Sequence, residues 1–431
     1  MPYNLRLAWQ SIRRNPVLSA LMVAAIAVGI GASMSTITVY WMGSKNPFPQ
    51  GNERIYHVQL DSYPVGPRYE PGQEPPDQMS YTDATNLLAD DRGDRQVASF
   101  KTSMALRPDN PDVRPFMTLV RATSRDFFEV FEVPFLFGSG WDPSADDDAA
   151  RVAVLSRETN DRVFGGENSV GRTLRTDVGE FQVIGVIDEW NPQPKFYDMT
   201  NGAFNDAEDL FIPFSNVAPL ELGRAGNTNC GGGPPINSFS DFLASECVWI
   251  SYWVELGESM SASEYRSYLE GYIAQQKELG RFERESNYRL RDVREWLIEE
   301  EVVDGSIKAM VWLSVLFLVV CLLNTVGLIL AKFLGRSPQI ALRRALGASR
   351  TALLQQHLVE VVMIGAIGGV LGAGLAWLGL LGIRALMDST NAYLYMDWTM
   401  VGAAILLAMA SAAVAGLYPA IRIGRIAPAR H

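Results

Sequence analysis

The sequence predicts an α-helical membrane domain of four transmembrane helices, with a large α/β (α+β) domain inserted after the first helix and carried on a helical stalk. Three observations carry this. Four apolar runs, residues 17–41, 310–330, 361–383 and 398–421, are each long enough to cross ~30 Å of hydrocarbon, and 310–330 holds no charged residue. Between the first and second runs lies a stretch with the punctuation of a water-soluble fold, carrying 25 basic against 45 acidic residues over 42–308. Basic residues instead gather at the other ends of the runs: Arg6, Arg13 and Arg14 before the first, Lys332, Arg336, Arg343, Arg344 and Arg350 after the second, and Arg422, Arg425 and Arg430 at the close. The excess of positive charge orients those ends to the cytoplasm, so the acidic insert faces outward. Its charge argues against nucleic acid or anionic lipid as its ligand.

Taken in order, residues 1–16 read as an amphipathic helix in the cytoplasmic interface, with Leu5, Trp9 and Ile12 at helical spacing and Pro16 at the bend into the bilayer. The first run is too long for a cleaved signal peptide and is followed by bulky Tyr40 and Trp41, so it reads as an anchor. Gly29, Gly31, Ala32 and Ser33 give it a small-residue stripe for close helix approach.

In the insert (42–309), residues 54–60, 116–122, 151–155, 181–187 and 288–290 read as strands from their Val, Ile and Phe content. Ser80 with Asp83, and Ser261 with Glu264, have capping-box spacing; the second opens a helix with Tyr265, Leu269, Tyr272 and Ile273 on one face. Residues 125–130 and 157–164 read as short helices. The Pro-, Gly- and Asn-rich segment 191–240 shows little periodicity and reads as a long surface excursion. Cys230 and Cys247 would close a loop at its end in an oxidising compartment, the alternative being two separate thiols. Cys321 reads as an apolar packing residue. Residues 292–334 read as one unbroken helix, a charged stem standing ~25 Å above the bilayer and continuing into the second span, with Gly305 its one weak point.

Residues 331–360 form a cytoplasmic loop in which Ile340, Leu342, Ala345 and Leu346 make an apolar face beside Arg343 and Arg344, with Gly347 placed to end a short helix. A second helix starts near Ser349. Glu360, at the mouth of the third span, can reach the interface or pair with a nearby arginine. The third span carries two overlapping GxxxG spacings, Gly365 with Gly369 and Gly368 with Gly372. A short outer loop (384–397) and a cytoplasmic tail (422–431) complete the chain.

The residue types of most chemistries are missing at workable spacing. There is no GxxxxGK[ST] phosphate cradle and no GxSxG. His57, His357 and His431 lie apart without metal-ligand spacing, and the run Asp146, Asp147 and Asp148 reads as a solvated turn rather than a calcium site. No catalytic, cofactor-binding or metal-binding residue is expected on this chain.

The order of one span, a large outward domain and three further spans resembles the MacB/FtsX-type ABC transporter permeases. IALRRALGASRTALLQQHLVEVVMIGAIGGVLG is similar to that family's signature loop and third span, and VAAIAVGIGAS to its first span. VRATSRDFFEVFEVPFLFGSGW, ARVAVLSRETNDRVFGGENSVGRTLR and FQVIGVI resemble the MacB-type periplasmic core domain, and YPAIRIGRIAP the closing motif. Where the family usually has an acidic residue before the Ile-x-x-Arg-Arg core, this sequence has Gln339.

The resemblance implies a multi-pass permease of the cell inner membrane with a periplasmic domain. ATP and Mg would be bound by a separate ATP-binding subunit that grips Gln339, Ile340, Ala341, Leu342, Arg343, Arg344, Ala345, Leu346, Gly347 and Ala348. It implies a second permease copy or a homologous permease, with the glycine-bearing spans available for contact. In the MacB branch it further implies a periplasmic adaptor and an outer-membrane channel serving export of a periplasmic substrate by mechanotransmission. The alternatives within this architecture are an FtsX-like regulator of cell-wall hydrolases and a lipoprotein-extraction permease.

Overall fold

Apolar runs without charge have one stable form in lipid, the helix, because only there is every backbone polar group satisfied within the segment. The computed structural model describes residues 3–44, 54–66, 70–302, 305–335, 342–343, 345–386 and 398–424. They fall into two compact units, Met1–Lys45 with Val303–His431, and Asn46–Val302.

The first unit holds four helices long and apolar enough to cross a membrane: Pro16–Trp41, Gly305–Lys332, Thr351–Ile383 and Trp398–Leu417. The third belongs to a helix running Arg350–Leu386, which begins where a helix was expected to start, near Ser349. The second and third spans pack on the first and fourth rather than on each other. Small residues decide these contacts. A Cβ at Gly365 would lie 2.6 Å from that of Ala412, and one at Gly369 2.8 Å from that of Ala408, both on the fourth span. At Gly368 and Gly372 it would meet Ile26 and Ile30 of the first span at 2.8 and 2.9 Å. The two GxxxG spacings therefore serve two neighbours within this chain, Gly365 and Gly369 facing the fourth span and Gly368 and Gly372 the first. The amphipathic helix Tyr3–Arg14 turns Ala8 and Ser11 inward and leaves Leu5 and Trp9 exposed.

The second unit is built on a twelve-stranded sheet. Its strands are β1 (Ile55–Leu60), β2 (Met79–Ser80), β3 (Arg95–Leu106), β4 (Phe116–Thr123), β5 (Phe135–Gly138), β6 (Val152–Leu155), β7 (Thr173–Arg175), β8 (Glu180–Ile187), β9 (Leu210–Pro213), β10 (Asn229–Cys230), β11 (Cys247–Glu255) and β12 (Tyr288–Asp292). The main path runs β12-β1-β11-β3-β4-β9-β6-β8-β5, with β2 and β10 on β11 and β7 on β8. The β4–β9 and β6–β8 pairs are parallel and the rest antiparallel. All nine residues of β11 are buried, and apart from Ser251 and Glu255 they are apolar or aromatic, so the strand shows no alternation. The helix Ala262–Glu278 starts in a full capping box at Ser261 and Glu264, and Tyr265, Leu269, Tyr272 and Ile273 are all buried. Cys230 and Cys247 are register partners and form a disulfide.

Two expectations fail. The stem is not one helix with the second span. Helix Val293–Glu299 ends at Glu300, the Glu301 N–H bonds Ile298 O, and the Val302 N–H reaches back to Leu297 O at 3.3 Å. Glu301 sits at φ 47°, which completes a Schellman stop, and Val302 joins Leu297 in the same apolar cluster. The next helix starts at Gly305, and residues 303–304 lie outside the described set.

The segment 191–240 is not mainly a surface excursion either. Strand β9 inserts centrally between β4 and β6, and all four of its residues are buried. Just before it, Lys195, Asp198 and Glu208 close around Arg121 of β4, all of them at most 2% exposed. Arg121 Nη2 pairs with Asp198 and lies 2.5 Å from Glu208 Oε1, which also takes Lys195 Nζ at 2.7 Å. Two cations and two anions neutralise each other in the interior, which is why so polar a stretch can be buried. Only 223–240 is largely exposed, tied back by β10 and the disulfide.

Candidate coupling site

Residues 336–341 and Arg344 lie outside the described set, so Gln339, Ile340, Ala341 and Arg344 have no described position. The rest of the basic loop is a short helical turn. Leu346 N–H bonds Leu342 O and Ala348 N–H bonds Arg343 O, each at 3.0 Å. Gly347 then takes φ 96°, a conformation L side chains rarely adopt. Ser349 Oγ accepts from Ala352 N at 3.1 Å and caps the helix that becomes the third span. Arg343 Nη1 donates to Gln356 Oε1 at 3.1 Å. One turn apart, Leu342 and Leu346 are 61% and 79% exposed. An exposed leucine pair beside a guanidinium is a surface that a partner's groove can cover.

The helices on either side of the loop share a buried polar node that sequence reasoning did not assemble. Glu360 pairs with Lys332, Nζ to Oε1 2.7 Å, and both side chains are 2% exposed. Lys332 Nζ also donates to Ser19 Oγ at 3.0 Å, and Ser11 Oγ donates to the same Glu360 oxygen. The node thus joins the ends of the second and third spans, the start of the first and the N-terminal helix. The available signal was one basic and one acidic residue bordering two apolar runs, Lys332 after 310–330 and Glu360 before 361–383. At the far end of the bundle, Thr36 Oγ1 and Ser314 Oγ lie 2.7 Å apart and Ser33 Oγ donates to Ser314 O at 3.0 Å, joining the first and second spans.

In the outward unit the stem helix Val293–Glu299 is clamped by Trp296. Its Nε1 donates to Phe196 O at 3.0 Å, and its ring lies 3.9 Å from that of His57 at a tilt of 34°, while His57 also meets Trp253 at 4.8 Å. Burial, helped by the Arg291 charge, pushes the His57 pKa down to about 3, so this histidine is a neutral packing residue. At the stem's last turn, burial and the neighbouring Asp77 charge push Glu300 up to about 8.

Asp146, from the acidic run, accepts from Trp141 Nε1 and Arg125 N, a structural role. Among the described residues no group of three or more His, Cys, Asp or Glu side chains is placed to hold a metal ion.

Comparison with known proteins bears on both units. Residues 19–262 match the MacB-like periplasmic core domain, and residues 311–428 match the FtsX-like permease C-terminal domain. Among curated relatives, the macrolide export ATP-binding/permease protein MacB of Wolinella succinogenes is 22% identical over 98% of this chain and 59% of its own length. The pyoverdine export ATP-binding/permease protein PvdT of Pseudomonas syringae pv. syringae is 21% identical over 98% of this chain and 58% of its own. This chain therefore spans about three-fifths of these relatives. Among solved structures, the periplasmic region of MacB from Actinobacillus actinomycetemcomitans aligns with 59% of this chain and 94% of that one, at 15% identity and a TM-score of 0.36.

Proposed function

Because this chain belongs to the MacB/FtsX-type ABC transporter permeases, with both halves of that architecture matched, we propose that it transmits work done by a separate cytoplasmic ATP-binding subunit to its periplasmic domain, driving export of a periplasmic substrate. The observation that carries this reading is the joint match: a MacB-like core domain over 19–262, and an FtsX-like permease domain over 311–428 that contains the basic loop. The core-domain match supports the export branch over a cell-wall regulator, whose outer domain needs far fewer residues.

In this reading the partner covers Leu342 and Leu346 and pairs with Arg343 and Arg344, as a groove takes an amphipathic helix. Closure of the ATP-bound partner moves the loop, and the loop moves the spans it connects. The outward unit is joined to the membrane unit by only two chain crossings, after Lys45 and after Val302. A second permease copy, identical or homologous, completes the pair needed by two ATP-binding subunits. A periplasmic adaptor and an outer-membrane channel would carry the substrate onward.

The test is affinity purification of the tagged chain from its native membrane, with identification of what comes with it. Recovery of an ABC ATPase with wild type, lost in Arg343→Glu with Arg344→Glu while membrane insertion is kept, supports the assignment. Undiminished recovery with the double variant refutes the loop's role.

A further inference from the structure

We propose that the Lys332–Glu360 pair is a positioning latch that makes the two helices flanking the basic loop, together with the N-terminal helix, respond to a pull on that loop as one body. The inference rests on the functional reading above and deepens it. The second and third spans do not lean on each other along their length, each packing on the first and fourth, so a displacement entering between them would otherwise spread them apart. The ion pair bridges them on the loop side, from the end of the second span to the helix that follows the loop, at 2.7 Å and with both side chains 2% exposed. Ser19 on Lys332 and Ser11 on Glu360 bring the first span and the N-terminal helix into the same node.

Such a pair is a poor stabiliser. Removing two charges from water offsets much of their attraction, and an apolar pair of similar volume would hold the helices about as well. It is, however, a sharp register device. Sliding either helix by one residue, ~1.5 Å, separates opposite charges in a medium of low dielectric, so the paired register is strongly preferred over its neighbours. A rigid register is what force transmission needs and simple packing does not supply. The flanking hydroxyls can donate or accept, so an inverted pair would find the same partners.

The experiment uses the full chain purified with its ATPase subunit, carrying an environment-sensitive dye on Leu279→Cys, an exposed position in the outward unit. Lys332→Met and Glu360→Gln are expected to keep the ATPase subunit and its ATP hydrolysis while the ATP-dependent dye response falls about five-fold or more; the exchanged pair Lys332→Glu with Glu360→Lys restores at least about half of it. Ser11→Ala, which leaves both charges in place, is expected to lower the response about two-fold with recovery unchanged, and guards against variants that fail to fold. A full response in both single charge variants, or a loss that the exchange does not restore, overturns the latch. A wild-type preparation with no ATPase subunit overturns the functional reading itself and the latch with it.

Discussion

Arg121→Met should destabilise the outward unit severely, although it replaces a charged residue with an apolar one of similar length. Arg121 is fully buried, and its guanidinium meets Asp198 and Glu208 while Lys195 meets Glu208 and Asp206 O. Removing it leaves two buried carboxylates facing one ammonium, an uncompensated charge that costs about 3–5 kcal/mol. For a unit of this size that is a fall in Tm of about 6–20 °C. Burial alone would raise the Glu208 pKa, but the Arg121 and Lys195 charges outweigh it and hold that carboxyl well below its ordinary value of 4.5. A carboxyl depressed on folding contributes stability that is present above its unfolded pKa and lost as pH falls through the folded one, so the assay belongs at pH 7. The chain in detergent would be heated while its tryptophan fluorescence is followed. Glu208→Gln should cost a similar amount, since it leaves two cations on Asp198. The double variant should cost less than either single change, because Lys195 and Asp198 then balance. A single variant within about 1 kcal/mol of wild type, or a double variant equal to the sum, would refute the reasoning.

At the stem, burial and Asp77 raise Glu300 to about 8, with Glu299 adding to the effect and Arg291 opposing it. The folded state then holds a proton that the unfolded chain releases near 4.5, so stability falls as pH climbs from about 4.5 to about 8. Glu300→Gln should lose less Tm than wild type between pH 5 and pH 8; equal losses would count against the shift. Cys230→Ser should abolish a gel shift on reduction and cost about 2–4 kcal/mol, from a bridge between residues 17 apart in sequence; free alkylation of both thiols in the unreduced protein would contradict the pairing. In the third span, Gly372→Val meets Ile30 Cγ2 and Ala27 O and should cost about 1–3 kcal/mol, whereas Gly374, with nothing within 4 Å, should tolerate the same change; equal thermal stability in detergent would refute the packing.

The membrane helices were legible because an apolar run of about 20 residues without a charge is rare outside a bilayer. The Ser261–Glu264 cap was legible because both of its partners are local in sequence. What escaped was burial achieved by charge. Lys195, Asp198 and Glu208 lie in the segment read as a surface excursion, and only the fold brings Arg121 to them from more than seventy residues away. Strand β3 escaped for a related reason: Gln96, Ser99 and Thr102 point inward beside Val97, Ala98 and Phe100, which blurs the alternation. The stop at Glu300 was hidden because Glu301, rather than a glycine, takes the left-handed position. In the coupling region the apolar loop face could be read, but the Lys332–Glu360 node could not, since nothing local links residues on two different spans.

Transmission itself is best measured on the purified assembly in proteoliposomes, by following a probe on the outward unit while ATP is supplied to the loop side. The predicted result is an ATP-dependent change at the probe that disappears in Arg343→Glu with Arg344→Glu. An assembly that hydrolyses ATP while the outward unit gives no response would contradict the role of this chain as the link between them.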